Sequence, residues 1–306
     1  MSSLVGIQGG ELATVGNFKI EISVIIPTRN RIDMLLRLLD SIYVSQLTPE
    51  KIELIIVDDD SDAKVEDSVL RRDIRTVFIR NQTRLLLAHS RNEGIKASSG
   101  EYLFFVDDDN VVRYDTIANL MALISTDQRI GAVVPLTYYF NEKTKLWHNL
   151  ITNPVYPAIF ARQYNLPISE PIGLYTFHNA FMVRKQVFQE LGMFDELNFP
   201  IHLSEAEFCD RMRKSGYSIL LCPKAIDWHD VPPENEKIKQ IDPIRSRYLL
   251  RNRILIAKRR SVLIFLFFVF ISLPMYLIYY SILYLRARNV ASLRTLLQGT
   301  LEGFKG

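Results

Sequence analysis

Two runs of apolar residues in this chain each end in three consecutive aspartates. The run "IELIIV" is followed by residues 58–60, and the run "YLFFV" is followed by residues 107–109. An unpaired carboxylate is costly to bury, and adjacent carboxylates repel one another. The pattern therefore predicts two buried strands that end at one edge of a sheet, where a divalent cation would make the charge tolerable. Acidic turns that cap strands or helices are the alternative explanation.

Strand and helix patterns alternate from residue 20 to about residue 136. "EISVIIP" has the pattern of a buried strand, and "RIDMLLRLLDSIYV" that of an amphipathic helix. Nearly uninterrupted apolar strands separated by helices are typical of an α/β fold, with a mostly parallel sheet and helices on both faces. The chain has 306 residues, of which 48% are hydrophobic, enough for one large α/β domain with an appendage.

The C-terminal part combines a basic stretch with an apolar one. Seven Lys or Arg lie between residues 245 and 260, and the next 24 residues, 262–285, carry no charge. A helix needs about 20 apolar residues to cross the hydrocarbon core of a membrane, so we predict one transmembrane helix. More cations precede it than follow it, which favours a single-pass protein of the cell membrane with its main domain on the cytoplasmic side.

Four segments carry a family resemblance. "SVIIPTRNR", "LIIVDDDSD", "AHSRNEGIKASSGEYLFFVDDDN" and "SEAEFCDRMRKSGYSI" resemble, in order and spacing, the motifs of family 2 glycosyltransferases with the GT-A fold. The resemblance implies a GT-A catalytic domain that uses a nucleotide sugar. The expected division is a flexible lead-in without a signal peptide (1–19), a catalytic domain (20–240) with nucleotide-binding (20–136) and acceptor (137–240) halves, a basic juxtamembrane helix (241–260), a transmembrane helix (261–285) and a tail (286–306).

The resemblance also implies roles for residues at the strand ends. Asp59 would accept the N3–H of uracil or thymine, which favours a UDP-sugar. Asp107 and Asp109 match the two ends of a DxD motif, and His229 would complete a site for Mg²⁺ or Mn²⁺, although a lone histidine beside a tryptophan is as often a packed one. The implied nucleotide-binding residues are Pro27, Thr28, Arg29, Arg31, Asp59, Arg91 and Asp108.

The catalytic base is expected at the start of a helix. Members of the family carry an acid pair there, whereas this chain has Ser204 and Glu205. "SEAE" fits a capping box in which Ser204 and Glu207 satisfy each other's backbone donors. Glu205 would then be free to project, with its ionised form favoured by the helix N-terminus. We therefore expect Glu205 to be the base, with Glu207 and Asp210 as alternatives.

The acceptor side is less well defined by the sequence. A QxxRW motif is absent and only one apolar span occurs, so we expect transfer of a single sugar to a polyprenyl-phosphate-type or other lipid-linked acceptor, or to a glycan. Arg247 and Arg251 lie one helical turn apart and would bind either the acceptor phosphate or anionic headgroups. The segment around His178 is alternatively a loop into a core helix. The candidate acceptor or sugar contacts are His178, Asn179, Glu207, Arg247 and Arg251.

Two other functions are compatible with parts of the pattern. A nucleotidyltransferase on a related α/β sheet would need a glycine-rich phosphate loop after the first strand, and "PTRNRID" contains no glycine. An inactive, membrane-tethered binding protein would have lost the DxD residues, which are present here. We expect no nucleic-acid partner.

Overall fold

The computed structural model describes residues 3–4, 19–69, 74–147, 155, 168–231 and 242–305. Within these ranges, strands and helices alternate in the first half of the chain, as predicted. The elements in chain order are β1 (Ser3–Leu4), β2 (Ile22–Thr28), α1 (Ile32–Tyr43), β3 (Ile52–Asp58), α2 (Glu66–Val69), β4 (Arg75–Arg80), α3 (Leu87–Ala97), β5 (Tyr102–Val106), β6 (Asn110–Val112), α4 (Thr116–Ile124) and β7 (Ile130–Tyr139).

The second half adds three strands and five helices within the described residues. The helix Val262–Arg286 is continuous and contains a π-helical segment at Phe268–Ser272. The elements are β8 (Ile172–Gly173), β9 (Ala180–Arg184), α5 (Lys185–Leu191), α6 (Ser204–Lys214), β10 (Ser218–His229), α7 (Pro243–Arg260), α8 (Val262–Arg286) and α9 (Val290–Lys305).

The strands form one mixed sheet in the order β1-β4-β3-β2-β5-β9-β7-β10-β6, with β8 paired to β10. Strands β4, β3, β2 and β5 are parallel, and so are β7 and β10. Strand β9 lies between these two groups and runs antiparallel to both of its neighbours. The predicted α/β class is confirmed, and the sheet crosses the predicted 136/137 boundary without a break.

Helices cover both faces of the sheet. Alternate residues of β2 point to opposite faces, as the two-residue period of a strand requires. Val24 and Ile26 join the core cluster that also contains Leu38 of α1 and Leu120 of α4. Ile25 joins the cluster on the other face, which includes Ala88 of α3, Val187 of α5 and Phe208 of α6.

Secondary structure occurs within the segments predicted as lead-in and tail. Ser3 and Leu4 pair with Arg80 and Ile79 as a short antiparallel edge strand, and residues 5–18 lie outside the described ranges. Residues 290–305, predicted as a tail, form helix α9, which packs on α7.

Helix α9 approaches α7 very closely at two glycines. A Cβ on Gly299 would clash with the carbonyl oxygen of Arg247, and Gly303 lies against Arg251. Beside this contact, Arg247 forms a bidentate ion pair with Glu302, with N–O distances of 2.8 and 2.6 Å. Small residues thus allow backbone contact between two helices that are far apart in the sequence.

Replacing Gly299 by alanine is expected to destabilise the protein by about 1–3 kcal/mol, because the added methyl group has no room and α9 must shift. Urea unfolding followed by circular dichroism measures the change. Gly173→Ala is the matched control, since no atom of the residues that the structure describes lies within 4 Å of its added Cβ. Equal stability of the two variants would show that α9 does not pack on α7 in solution.

Candidate active site

The carboxyl ends of β2, β3 and β5 meet at one edge of the sheet, because these strands are parallel and adjacent. Asp108, directly after β5, is buried there. It accepts hydrogen bonds from Thr28 Oγ1 at 2.8 Å and from Arg31 Nη1 at 3.1 Å. Burial raises the pKa of Asp108 to about 6, although the Arg31 charge opposes this. The loop after β2 therefore holds the middle aspartate of the triplet.

Asp109 and His229 come together from different strands. Asp109 follows β5, His229 ends β10, and His229 Nε2 lies 3.0 Å from Asp109 Oδ1. Burial favours a raised pKa for Asp109, but contact with His229 and Arg31 lowers it below its usual range. Within the described part of the chain, Oδ1 is a buried oxygen with no donor in hydrogen-bond geometry. The two groups are close without being well bonded to each other.

This pair fits a divalent cation. Metal–ligand bonds of about 2.1 Å at right angles place ligand atoms about 3.0 Å apart, which is the observed separation of Nε2 and Oδ1. The pair offers one nitrogen and one oxygen donor, whereas Mg²⁺ prefers oxygen ligands. The described residues contain no group of three or more His, Cys, Asp or Glu side chains arranged to hold a metal. Further ligands would have to be phosphate oxygens or water.

Arg91 on α3 links Asp107, at the end of β5, to Glu205 on helix α6. Its side chain is fully buried, and its guanidinium donates to Asp107 Oδ1 at 3.0 Å and to Glu205 Oε1. Burial would lower the pKa of Arg91, but the two carboxylates raise it above its usual value. Burial likewise raises the pKa of Asp107, against the Arg91 charge. Arg91 therefore holds two carboxylates from different elements close together.

The start of helix α6 differs from the predicted capping box. The N-cap is Leu203, in a left-handed conformation with φ 63°, and no side chain caps the helix. The helix therefore begins at Ser204, one residue earlier than the motif requires, and Ser204 Oγ donates to Glu205 Oε2 at 3.1 Å. The capping-box prediction was wrong, and Glu205 occupies the second helical position, where it is paired with Arg91.

The other two acids of α6 point away from the strand ends. Glu207 pairs with Arg211 at 2.9 Å and with Arg259 of α7 at 3.4 Å. Asp210 pairs with Arg260 of α7 at 2.7 Å. Of the three candidate bases, Glu205 is the one that Arg91 connects to Asp107.

Asp59 is buried after β3 and holds the loop that precedes α3. Its carboxylate accepts from Asn81 Nδ2 at 2.9 Å and from the backbone N–H groups of Leu85 and Leu86 at 2.8 and 2.9 Å. A carboxylate offers about four acceptor positions, so one remains for a ligand. Pro27 lies inside β2, and the half-buried Arg29 follows this strand at the same edge.

Asn179, which immediately precedes β9, is fixed by the protein. Its carbonyl oxygen accepts from the Asp107 N–H at 2.9 Å, and its Nδ2 donates to Asp227 Oδ2 at 3.1 Å. His178 beside it lies near Trp147, with a ring separation of 6.4 Å, and Trp147 also packs edge-on against His229 at 4.4 Å. The loop before β9 therefore borders the Asp109–His229 pair.

Asp227 is a site residue that the sequence analysis missed. It is fully buried on β10, where Thr137 Oγ1 donates to it at 2.7 Å and the side-chain amides of Asn110 and Asn179 also contact it. Burial raises its pKa to about 7. Its spacing from His229 could have revealed it in the sequence, because residues two apart on a strand lie on the same face of the sheet.

The two arginines predicted to bind an acceptor have partners within the protein. Arg247 pairs with Glu302, and Arg251 Nη1 donates to the carbonyl oxygen of Asn198 at 2.6 Å. Their acceptor role stays a prediction. Arg247 joins α7 to α9, and Arg251 joins α7 to the segment between α5 and α6.

The fold and sequence have counterparts among known proteins. A Shigella flexneri protein named dTDP-rhamnosyl transferase RfbF is 24% identical over 233 residues, which cover 72% of this chain and 75% of that protein. The chain spans about half the length, or less, of other curated relatives that it matches, several of them named glycosyltransferases.

Two solved structures show the same fold. GalNAc-T7, solved with UDP, GalNAc and Mn²⁺, superposes with a TM-score of 0.60 at 17% identity, over 77% of this chain and 51% of that chain. The mannosyltransferase PcManGT from Pyrobaculum calidifontis, solved with GDP-Man and Mn²⁺, gives 0.59 at 18% identity, over 92% and 74%. The model of the family described as glycosyl transferase family 2 matches residues 23–192, more than half of the chain. The chain belongs to glycosyl transferase family 2.

Proposed function

We propose that this protein is an inverting, metal-dependent glycosyltransferase that moves one sugar from a nucleotide sugar to an acceptor hydroxyl. The observation that carries the proposal is the buried bridge from Asp107 through Arg91 to Glu205. This bridge keeps a carboxylate base beside the edge where the donor diphosphate would bind. Membership of glycosyl transferase family 2 supports the reaction class.

Each residue of the site has a distinct part in this proposal. Glu205 accepts the proton of the acceptor hydroxyl while the sugar carbon is attacked from the face opposite the leaving diphosphate. Arg91 orients Glu205, because both of its terminal nitrogens are held by carboxylates. Arg31, half-exposed and paired with Asp108 and Asp109, is close enough to the triplet to contact phosphate oxygens.

Asp109 and His229 would hold the cation, with Mn²⁺ favoured over Mg²⁺ by the imidazole donor. The cation supplies Lewis-acid stabilisation of the departing nucleoside diphosphate. Asp107 is predicted to be a ligand as well; Arg91 holds its Oδ1, so Oδ2 would be its ligand atom. The solved relatives that contain Mn²⁺ support metal dependence.

Converting Asp109 to asparagine or His229 to glutamine is expected to weaken Mn²⁺-dependent UDP binding by about 10–100-fold or more, since changes around metal ligands cost at least this much. Isothermal calorimetry with and without EDTA measures the effect. Asp127→Asn, at an exposed turn before β7, is the matched control. UDP affinity that EDTA leaves unchanged would contradict the metal site.

A UDP-sugar is the favoured donor. Asp59 keeps one acceptor position, which suits the N3–H of uracil, and thymine presents the same group. The names and titles of similar proteins mention a dTDP-linked activity, UDP and GDP-Man. Thermal shift with UDP-, dTDP- and GDP-sugars in the presence of Mn²⁺ ranks the donors, and a preference for GDP would contradict the role of Asp59.

The acceptor is proposed to be a lipid-linked saccharide or polyprenyl-phosphate-type molecule, with the catalytic domain on the cytoplasmic side of the cell membrane. One helix among the described residues, α8, is long and apolar enough to enter a membrane. Helix α7 next to it packs against the segment that leads into Glu205, which would keep the base close to a membrane-bound substrate.

The decisive test of function is to identify the released product. The full-length protein is incubated with Mn²⁺, each nucleotide sugar and a membrane lipid extract. Acceptor-dependent release of a nucleoside diphosphate, with inversion at the anomeric carbon shown by NMR, supports the proposal. Release of pyrophosphate when a nucleoside triphosphate and a sugar 1-phosphate replace the nucleotide sugar would indicate a nucleotidyltransferase instead. Saturable donor binding without any release would indicate a binding protein.

A further inference from the structure

Helix α8 runs back beside α7 and contacts it at separate points. Near the C-terminal end of α8, Tyr284 Oη is 2.8 Å from Ser246 Oγ. In the middle, the Arg253 guanidinium stacks over the Tyr276 ring at 4.8 Å. The two helices run antiparallel from the turn at Ser261, so α8 folds back beside α7 and does not project away from it.

Helix α7 is fixed to the catalytic domain. Asn252 Nδ2 donates to the carbonyl oxygens of Ile201 and His202 at 2.7 and 2.8 Å. Arg259 pairs with Asp195 of the same domain at 2.9 Å. Helix α7 also carries seven Lys or Arg and no acidic residue. A helix with these charges and contacts does not belong in hydrocarbon, where each charged side chain is costly.

Helix α9 closes the same bundle. It starts after the far end of α8 and ends near the start of α8, where Lys258 Nζ donates to the Phe304 carbonyl oxygen at 2.9 Å and the Phe304 ring lies 6.2 Å from that of Phe265. A bilayer crossed by α8 alone would separate α9 from α7. The packing therefore excludes a span by α8 alone and leaves the three helices together on one side.

The face of α8 that points away from α7 is apolar and exposed from end to end. Leu263 is 80% exposed, Phe270 71%, Ile278 62% and Leu285 60%. On α9, Leu297, Leu301 and Phe304 are also exposed. A continuous exposed apolar surface of this size marks an interaction site.

Positive charge borders this apolar surface. Residues 243–306 contain eleven Lys or Arg and one acidic residue, Glu302, which is already paired with Arg247. The basic side chains of α8, α9 and the turn between them that are exposed are Arg286, Arg288, Arg294 and Lys305. Apolar side chains beside exposed cations match the boundary between acyl chains and anionic headgroups.

We propose that α8 lies in the plane of one leaflet and does not cross the membrane. Its exposed face enters the headgroup–acyl boundary, the bordering cations contact anionic lipids, and α7 and α9 stay on the same side as the catalytic domain. This arrangement replaces the single span predicted from the sequence, and it does not depend on the reaction that the protein catalyses.

The side of the membrane on which α9 lies distinguishes an in-plane α8 from a membrane-spanning one. Two variants that each add one cysteine, Lys64→Cys in the catalytic domain and Gln298→Cys on α9, are expressed in bacteria. They are treated with a membrane-impermeant maleimide in spheroplasts and in inverted vesicles. Both original positions are exposed, and the native Cys209 and Cys222 are buried, so wild type gives the background. The proposal expects both cysteines to react in the same preparation. Reaction of one in spheroplasts and the other in inverted vesicles would establish a span and overturn it.

Vesicle binding tests the surface itself. We expect the purified protein to sediment with phosphatidylcholine vesicles that contain phosphatidylglycerol, and at least several-fold less with phosphatidylcholine alone. Phe270→Glu should lose most of this binding, whereas Thr144→Glu, at an exposed loop position, should bind like wild type. Equal binding of both variants, or a soluble dimer that ignores vesicles, would show that another surface or a second copy of the chain is the true partner.

Discussion

The Glu205→Gln variant is expected to transfer sugar about 10²–10⁴-fold more slowly than wild type, the usual contribution of a general base. Glutamine keeps the shape of the side chain and can still accept a hydrogen bond from Arg91, so the buried bridge survives. It cannot take the proton of the acceptor hydroxyl. Donor affinity should hardly change, because the proposed donor contacts lie on the strand ends and not on α6.

Glu207→Gln on the same helix is the matched control. Glu207 pairs with Arg211 and Arg259 and has no contact with Arg91, so its loss should affect stability slightly and transfer little. Calorimetry of donor binding and a transfer assay with one acceptor separate the two effects. Near-normal transfer by Glu205→Gln together with loss of transfer in Glu207→Gln would place the base elsewhere on α6.

Arg91→Met is expected to lower the free energy of unfolding by about 3–5 kcal/mol, the range found when one partner of a buried ion pair is removed. Methionine fills part of the volume but leaves Asp107 and Glu205 without their shared cation. Arg129→Met, at a side chain that is 83% exposed, should change stability by less than about 0.5 kcal/mol. Urea unfolding of both variants measures the difference.

A triple substitution shows whether the stability that Arg91→Met loses is due to the unpaired charges that it leaves. Arg91→Met combined with Asp107→Asn and Glu205→Gln removes the charges together, so it should be more stable than Arg91→Met alone. Such non-additivity is expected for residues in one network. If the triple variant is less stable than the single one, the three side chains do not form the coupled unit that their geometry indicates.

Sequence patterns predicted the parallel part of the sheet well, because a strand that is buried on both faces leaves a direct trace in the sequence, a nearly continuous apolar run. The strands ending at Thr28, Asp58 and Val106 are buried throughout and mostly apolar, and the polar residues at their ends had to meet at one edge. The direction of β9 left no such trace. "AFMVR" has the same apolar character in either direction, and only the pairing partners decide it.

Tertiary contacts account for what the sequence did not reveal. The motif at Ser204 was overridden by the left-handed backbone at His202 and Leu203, which Asn252 supports from a helix about 50 residues away. The partners of Asp227 likewise come from three distant segments. Length and composition predicted the apolar helix, but not that it packs along α7, because hydropathy carries no information about neighbours.

The reversed direction of β9 brings a second kind of segment to the edge where β2, β3 and β5 end. The parallel strands β2, β3 and β5 place the residues after their C-terminal ends at the edge of the sheet where the donor is proposed to bind. Because β9 runs the other way, it places the residues before its N-terminal end at that edge. Asn179 therefore reaches Asp107 from a segment that belongs to no donor-binding strand. The register of β9 is held by pairing with β5 and β7 on both sides. A change in the residues just before β9 would therefore reach Asp107 through Asn179 and leave the ends of β2, β3 and β5 in place.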